Sequence, residues 1–88
     1  MLPIVMYSKS RCPYCDRAKT LLRAKGQEWT EIDVEADVEK RDEMIERSGG
    51  LRTVPQIFVG ETHVGGFDDL YALESAGRLD RLLADASS

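Results

Sequence analysis

A short apolar run near the start of the chain, Pro-Ile-Val-Met-Tyr at residues 3–7, restricts the possible fold more than any other feature. A strand that is apolar throughout is usually covered on both faces, as in a parallel sheet between helices. We therefore interpret this run as a first strand. Pro13 then suits the first position of a helix, where its missing N–H is not needed. The helical positions that follow are Ala18, Leu21, Leu22 and Lys25, and Gly26 ends the segment.

The next segment predicts a second strand and a second helix. Residues 29–34 alternate apolar with polar side chains, which is typical of a half-buried strand. Asp37 can cap a helix that ends at Gly49 and Gly50. The positions that define this helix are Val38, Arg41, Met44 and Ile45. Strand, helix and strand together predict a βαβ unit with parallel strands, followed by the second helix.

The last third of the chain predicts an antiparallel pair and two more helices. Residues 54–59 are interpreted as a third strand, 60–62 as a tight turn and 63–64 as a short return strand. Asp68 or Asp69 can cap a third helix that ends at Gly77. A short fourth helix follows, with Leu79, Leu82 and Leu83 as its apolar positions.

The order of elements, βαβαββα plus a short C-terminal helix, predicts an α/β fold. In this fold a mixed sheet of about four strands carries helices on both faces. Several protein families share that order. We expect residues 1–88 to form one domain, because a chain of this length has material for one modest core.

Composition and charge exclude several functional classes. Hydrophobic residues make up 42% of the chain and charged residues 32%, which is typical of a globular protein. The net charge of -4 argues against nucleic acid, whose partners usually present a basic face. No apolar run approaches the roughly 20 residues of a membrane helix, and residues 2–6 lack the basic leader of a signal peptide. We therefore expect a cytoplasmic monomer that binds neither nucleic acid nor membranes.

Cys12 and Cys15 are the only cysteines, and they lie between the first predicted strand and the first predicted helix. A pair this close in sequence cannot cross-link distant parts of the fold. The alternatives are an inert buried pair, a metal site and redox catalysis. A closed zinc site would need ligands beyond the single histidine and scattered carboxylates, so we expect no metal. The position of the pair favours redox catalysis.

A cysteine at the start of a helix is expected to have a lowered pKa. Free backbone N–H groups and the positive end of the helix dipole stabilise a Cys12 thiolate there. Lys9 and Arg11, with Arg17 or Lys19, would add positive charge. A lower pKa raises the thiolate fraction but reduces nucleophilicity by a similar factor. The net benefit is therefore that Cys12 becomes a good leaving group when a second thiol attacks.

Three segments, in order, resemble the signatures of the dithiol glutaredoxins. They are residues 7–15 (YSKSRCPYC) with Arg17-Ala18-Lys19 behind them, residues 53–58 (TVPQIF) and residues 65–70 (GGFDDL). The similarity runs from Ile4 to about Leu83. It implies a thioredoxin-like fold in which Cys12 is the nucleophile and Cys15 the resolving thiol.

The resemblance also implies a groove beside the cysteines that binds glutathione as co-substrate. Lys9 would contact a glutathione carboxylate, assisted by Arg52, and Tyr14 would flank the groove. Val54 would pair its backbone with the peptide, in the manner of an added strand. The family pattern further implies a cis peptide bond between Val54 and Pro55, which turns the backbone groups of Val54 toward the substrate.

The remaining residues implied for the glutathione site lie in the second and third signatures. Thr53 begins the second signature, beside Val54. Gly66 and Phe67 would offer backbone N–H groups at a helix start to the γ-glutamyl carboxylate, and Asp68 would bind its amine. Phe67 departs from the commonest family pattern, which has a small or thiol-bearing residue there. The groove wall is therefore expected to be bulkier here.

The leading functional hypothesis is a glutathione-dependent thiol-disulfide oxidoreductase that acts on disulfide-bonded or glutathionylated proteins. One alternative is an electron donor that thioredoxin reductase reduces and that serves ribonucleotide reductase. Another is a module that binds a [2Fe-2S] cluster through Cys12 of two copies, which Pro13 and Tyr14 disfavour by crowding. Away from the site, Trp29 is expected to pack on a helix and His63 to face solvent.

Overall fold

A computed structural model describes the backbone of residues 4–87 and the side chains of residues 4–84. Its strands are β1 (Ile4–Ser8), β2 (Thr30–Asp33), β3 (Gln56–Val59) and β4 (Thr62–Gly65). Its helices are α1 (Pro13–Ala24), α2 (Val38–Arg47), α3 (Phe67–Ser75) and α4 (Leu79–Ser87). The predicted order of elements is confirmed. Pro3, which we assigned to the first strand, lies outside the described residues.

The strands form one mixed sheet in the order β2-β1-β3-β4. β1 pairs parallel with β2, while β3 is antiparallel to both β1 and β4. Since Tyr7 pairs with Gln56, the chain that leaves β1 passes beside the chain that enters β3. Since Gly65 pairs with Ile57, the end of β4 lies at the same end of the sheet as the end of β1 and the start of β3. This register brings the three sequence signatures to one end of the sheet.

Side chains alternate across the sheet and form a core on each face, as the predicted helices on both faces require. On one face Ile4 and Met6 pack against α1, α3 and α4. The buried members of this core are Ile4, Met6, Ala18, Leu22, Ile57, Val59, Leu70, Leu79 and Leu83. On the other face Tyr7 packs with Phe58, Val34 and Met44, the last from α2. The thioredoxin-like fold is confirmed.

The start of α3 differs from our prediction that Asp68 or Asp69 is its N-cap. Gly66 is the N-cap residue, and the helix begins at Phe67. The Asp69 carboxylate instead reaches back from the first turn, where its Oδ2 accepts a hydrogen bond of 3.0 Å from the Gly66 N–H. A carboxylate can satisfy a free N–H from within the first turn as well as from the cap position, so the sequence pattern does not separate the two arrangements.

Two smaller expectations are also corrected. β3 begins at Gln56, because Val54 and Pro55 lie in the loop before it. His63 does not simply face solvent: it is half-buried, and its ring stacks on Phe58 at a centroid distance of 4.7 Å. Trp29 packs at the edge of the larger core, with Arg23 of α1 over its ring, as predicted. None of the helices in the described chain is long and apolar enough to cross a membrane.

Candidate active site

Cys12 is the N-cap residue of α1, and its sulfur takes the place of the usual capping oxygen. The Cys15 backbone N–H donates to the Cys12 Sγ at 3.2 Å, and the Cys12 backbone is extended. Pro13 occupies the first turn, where its missing N–H costs nothing. The cysteine sulfur therefore lies at the positive end of the helix dipole, as the sequence predicts.

The two sulfurs are bonded to each other, with the Cα atoms of Cys12 and Cys15 5.2 Å apart. The structure therefore shows the oxidised form of the pair. The two cysteines are not equally accessible, since Cys12 is 6% exposed and Cys15 is 0% exposed. Cys12 therefore presents a small surface to an incoming thiol, and Cys15 presents none.

The loop before β3 lies directly against Cys12. The Val54 carbonyl oxygen is 4.0 Å from the Cys12 Sγ. No S–H is present in the disulfide form, so this distance records contact; the reduced thiol could donate to the same carbonyl. The Val54–Pro55 peptide bond is cis, as the family resemblance implies. The backbone of Val54 is thus placed next to the reactive sulfur.

A surface groove of about 410 Å³ runs from this loop to the start of α3. Seven residues that we predicted for glutathione line it: Tyr14, Thr53, Val54, Pro55, Gly66, Phe67 and Asp68. Lys9 and Arg52 do not line it; both are exposed, on the loops that lead to Cys12 and to Thr53. Leu51, Gln56 and Asp69 complete the lining and were not predicted for the site.

Aromatic side chains form the wall of the groove where Phe67 departs from the family pattern. The Phe67 ring lies 6.4 Å from the Tyr14 ring and stacks on Tyr71 at 5.9 Å, centroid to centroid. The Arg17 guanidinium covers Tyr14, 5.3 Å from the ring centroid. Phe67 also packs against the larger core, so part of its side chain is buried there and does not project into the groove.

The charges near the cysteines are only partly free. Lys9 and Arg11 are exposed, and neither forms an ion pair with any residue that the structure describes. Lys19, in contrast, pairs with Glu31 at 2.7 Å. The positive charge that we expected it to add near Cys12 is therefore largely neutralised. Lys9 and Arg11 remain the cations closest in sequence to the reactive cysteine.

The Glu31 carboxylate, on β2, interacts with three donors. It accepts hydrogen bonds from Ser8 Oγ at 2.9 Å and from Trp29 Nε1 at 3.3 Å, besides its ion pair with Lys19. Burial alone would raise the pKa of the Glu31 carboxyl, but these donors outweigh it and hold the pKa below the usual range. The cluster ties β1 and β2 to the helix that carries the cysteines.

Two adjacent aspartates at the start of α3 have different surroundings. Asp69 is held by the Gly66 N–H, while Asp68 is exposed, lines the groove and has no hydrogen bond or ion pair within the described chain. Gly65 has φ 113°, and a Cβ there would collide with the Asp69 carboxylate. A Cβ on Gly66 would lie 3.4 Å from the Pro55 carbonyl oxygen. Small residues therefore let this turn approach the cis-proline loop closely.

One hydrogen-bond chain beside the groove was missed from the sequence. The buried Gln56 side chain donates to the Thr53 carbonyl oxygen at 3.1 Å and to its Oγ1 at 3.2 Å. The His63 Nε2 lies 2.7 Å from the Gln56 Oε1. A polar residue in an otherwise apolar strand segment was the only available signal. Over the part of the chain described, no group of three or more His, Cys, Asp or Glu side chains could hold a metal ion.

Comparison with known proteins agrees with this geometry. The glutaredoxin family model matches residues 4–64. A glutaredoxin of Pseudomonas aeruginosa is 55% identical over 84 residues, which cover 96% of this chain and 99% of that protein. The solution structure of glutaredoxin from Brucella melitensis is 58% identical, with a TM-score of 0.81, covering 94% of this chain and 89% of that one. The buckwheat glutaredoxin–glutathione complex is 30% identical, with a TM-score of 0.87, covering 97% and 79% of the two chains.

Proposed function

Because the chain belongs to the glutaredoxin family, we propose that it is a glutathione-dependent thiol-disulfide oxidoreductase. Its substrates would be protein disulfides and glutathione mixed disulfides, with Cys12 as nucleophile and Cys15 as resolving thiol. The single observation that carries the assignment of roles is the difference in access. Cys12 keeps 6% of its surface exposed at a helix start beside the groove, while Cys15 is fully buried.

Reduction of a glutathione mixed disulfide needs only Cys12. Its thiolate attacks the glutathione sulfur, the protein thiolate leaves, and a Cys12–glutathione disulfide forms. A second glutathione thiolate then attacks the glutathione sulfur of that disulfide, which gives glutathione disulfide and returns Cys12 as a thiolate. The helix start stabilises the departing Cys12 thiolate, so it acts mainly in the step where Cys12 is the leaving group.

Reduction of a protein disulfide uses both cysteines. Cys12 attacks one protein sulfur and releases the other as a thiolate. The Cys15 thiolate then attacks the Cys12 sulfur, releases the second protein thiolate and forms the Cys12–Cys15 disulfide seen in the structure. Two glutathione molecules reduce this disulfide and become glutathione disulfide, so the two electrons delivered to the protein come from glutathione.

The groove supports glutathione as the reductant. Val54 would pair its backbone with the glutathione peptide beside Cys12. The Gly66 N–H already donates to Asp69, so the Phe67 N–H at the start of α3 would bind the γ-glutamyl carboxylate, and Asp68 would bind its amine. Tyr14 would flank the peptide. Lys9 and Arg52, on the exposed loops at either side, would meet a carboxylate of the bound tripeptide. A reducing compartment such as the cytoplasm supplies glutathione, and ribonucleotide reductase is one candidate protein substrate.

A coupled assay tests the proposal. NADPH oxidation is followed with glutathione and glutathione reductase, on a small glutathione mixed disulfide and on a disulfide-bonded protein. Parallel reactions replace glutathione and its reductase with thioredoxin reductase alone. We expect turnover with glutathione and little or none with thioredoxin reductase. The reverse pattern would contradict glutathione as reductant and favour the thioredoxin-reductase alternative.

Serine substitutions separate the two thiols. Cys12→Ser should abolish both activities, because no other thiol is accessible at the helix start. Cys15→Ser should keep reduction of the small mixed disulfide, which a second glutathione resolves, and lose most reduction of the protein disulfide. If Cys15→Ser lost both activities equally, or if Cys12→Ser kept either, the roles assigned to the two cysteines would be wrong.

A further inference from the structure

Hydrogen bonds connect β4 to the loop that borders Cys12 through the His63 and Gln56 side chains and through the Thr53 carbonyl and hydroxyl oxygens, called here the Gln56 relay. Gln56 is 2% exposed, and the hydrogen bonds that its side chain makes within the described chain go to the other two residues. A buried amide is costly unless it is paired, so its partners determine its orientation. None of the steps proposed for the two cysteines uses this chain of hydrogen bonds.

The hydrogen-bond partners assign each atom of the relay. The Thr53 carbonyl oxygen can only accept, so the Gln56 amide nitrogen must face it. The Gln56 Oε1 therefore faces His63, and because it can only accept, the His63 Nε2 must carry the proton. Stacking of the His63 ring on Phe58, 24° from parallel, keeps the imidazole in this position.

Holding the Thr53 carbonyl also orients the N–H of Val54. These two groups belong to one planar peptide unit and point in opposite directions when the bond is trans. The Thr53–Val54 bond is trans, since the cis bond in this loop is Val54–Pro55. A rotation of the peptide plane would move the carbonyl away from Gln56 and the N–H away from its present direction together.

We propose that Gln56 and His63 are positioning residues that hold the Thr53–Val54 peptide in the orientation used to bind glutathione. The inference rests on the proposed function, because Val54 lines the groove and its backbone is the group assigned to the glutathione peptide. Neither residue touches the reacting sulfurs. The relay therefore acts on binding of glutathione and leaves the chemistry of Cys12 unchanged.

The first test is the tautomer of His63 in the unmodified protein, measured from the ¹⁵N shifts of the imidazole ring at neutral pH. The chain contains one histidine, so the spectrum holds one ring. The relay requires a proton on Nε2. A proton on Nδ1 alone would mean that His63 cannot donate to Gln56, and it would overturn the proposal whether or not the protein uses glutathione.

The second test is kinetic and uses His63→Phe, which keeps a flat ring on Phe58 but has no donor, and Gln56→Leu. Each should raise KM for the glutathione mixed disulfide about threefold to tenfold, the usual effect of one lost hydrogen bond, with kcat nearly unchanged. The pH midpoint of the Cys12 thiolate should not move. Gln27→Leu is the matched control, because the Gln27 amide donates to the Lys25 carbonyl at 3.2 Å, beyond the end of α1.

The outcomes distinguish the relay from the proposed function. If the unmodified protein shows no glutathione-dependent turnover, the proposed function fails, and the tautomer still decides whether the relay exists. If it is active but both variants keep its KM, the positioning role is refuted. A fall in kcat with KM unchanged would also refute it. If KM rises as much in Gln27→Leu as in His63→Phe and Gln56→Leu, the effect reflects a general loss of stability, and the proposal is overturned.

Discussion

Asp68 and Asp69 are adjacent and carry the same charge, yet the structure predicts opposite effects for their replacement by alanine. Asp69 accepts a hydrogen bond of 3.0 Å from the Gly66 N–H at the start of α3. Asp68 is exposed on the groove and has no hydrogen bond within the described chain. We expect Asp69→Ala to reduce stability and Asp68→Ala to reduce glutathione use.

The stability difference follows from the helix start. Both variants lose one negative charge in the first turn, so the helix-dipole contribution largely cancels between them. Asp69→Ala also leaves the Gly66 N–H without its partner, which costs about 1 kcal/mol for a capping hydrogen bond. In a domain of this size that corresponds to a Tm about 4–8 °C lower. Asp68→Ala should lower Tm by no more than the shared dipole contribution.

The kinetic difference follows from the position of Asp68 in the groove. At an exposed site, solvent reduces the free-energy contribution of a charge-assisted hydrogen bond to the glutathione amine to about 1–1.5 kcal/mol. The expected rise in KM for Asp68→Ala is therefore about tenfold. Asp69→Ala should change KM less than about threefold, because its carboxylate is already engaged by Gly66.

Thermal unfolding of the reduced proteins and the glutathione-coupled assay measure the two effects on the same preparations. Each variant is the control for the other, since composition and net charge are identical. Equal losses of Tm in the two variants would refute the capping argument. An increase in KM for Asp69→Ala as large as that for Asp68→Ala would refute the assignment of Asp68 to the amine.

Three further predictions concern ionisable groups. Thiolate absorbance against pH should give reduced Cys12 a midpoint well below about 8.5; a midpoint at that value would contradict the helix-start argument. Burial, and then the hydrogen bond to Glu43, raise the pKa of the Tyr7 hydroxyl, so its contribution is present below about pH 10 and lost as pH rises through the folded-state pKa. Tyr7→Phe should therefore lower the free energy of unfolding, measured with urea at neutral pH, by about 1 kcal/mol. The difference in free energy between Tyr7→Phe and the parent protein should shrink at alkaline pH, and a difference that stays constant would contradict this account. The pKa of Glu31 is lowered, so Glu31→Gln should cost under about 1 kcal/mol at neutral pH. That difference should shrink as pH falls below the usual Glu pKa of about 4.5 and vanish once pH has fallen through the lowered folded-state pKa; a difference that does not shrink on acidification would refute the ion-pair account.

The order of elements and the chemistry of the cysteines could be predicted because both depend on neighbours in sequence. An apolar run, a Pro at a helix start and a Cys-x-x-Cys pair each carry a local signal, so β1, the reactive position of Cys12 and α1 follow directly. The cis bond before Pro55 followed only from the family resemblance, since most X-Pro bonds are trans. That prediction is confirmed.

The sequence did not predict that Asp69 binds the Gly66 N–H while Asp68 lines the groove, because an aspartate suits either position at a helix start. Whether a carboxylate caps from outside or reaches back from the first turn depends on where β4 ends and how closely Gly66 approaches Pro55. His63 was assigned to solvent for a similar reason. Its stacking on Phe58 depends on the irregular register between β3 and β4, which alternation of polar and apolar residues does not reveal.

By itself, the sequence determined the elements, their order and the reactive pair, since backbone preferences and the helix-start effect act over a few residues. Tertiary structure decided which side chains meet at the groove. The pairing of Tyr7 with Gln56 and of Ile57 with Gly65 brings together segments that are far apart in the chain. Strand register sets those meetings, and a shift of one residue would turn every side chain to the opposite face of the sheet.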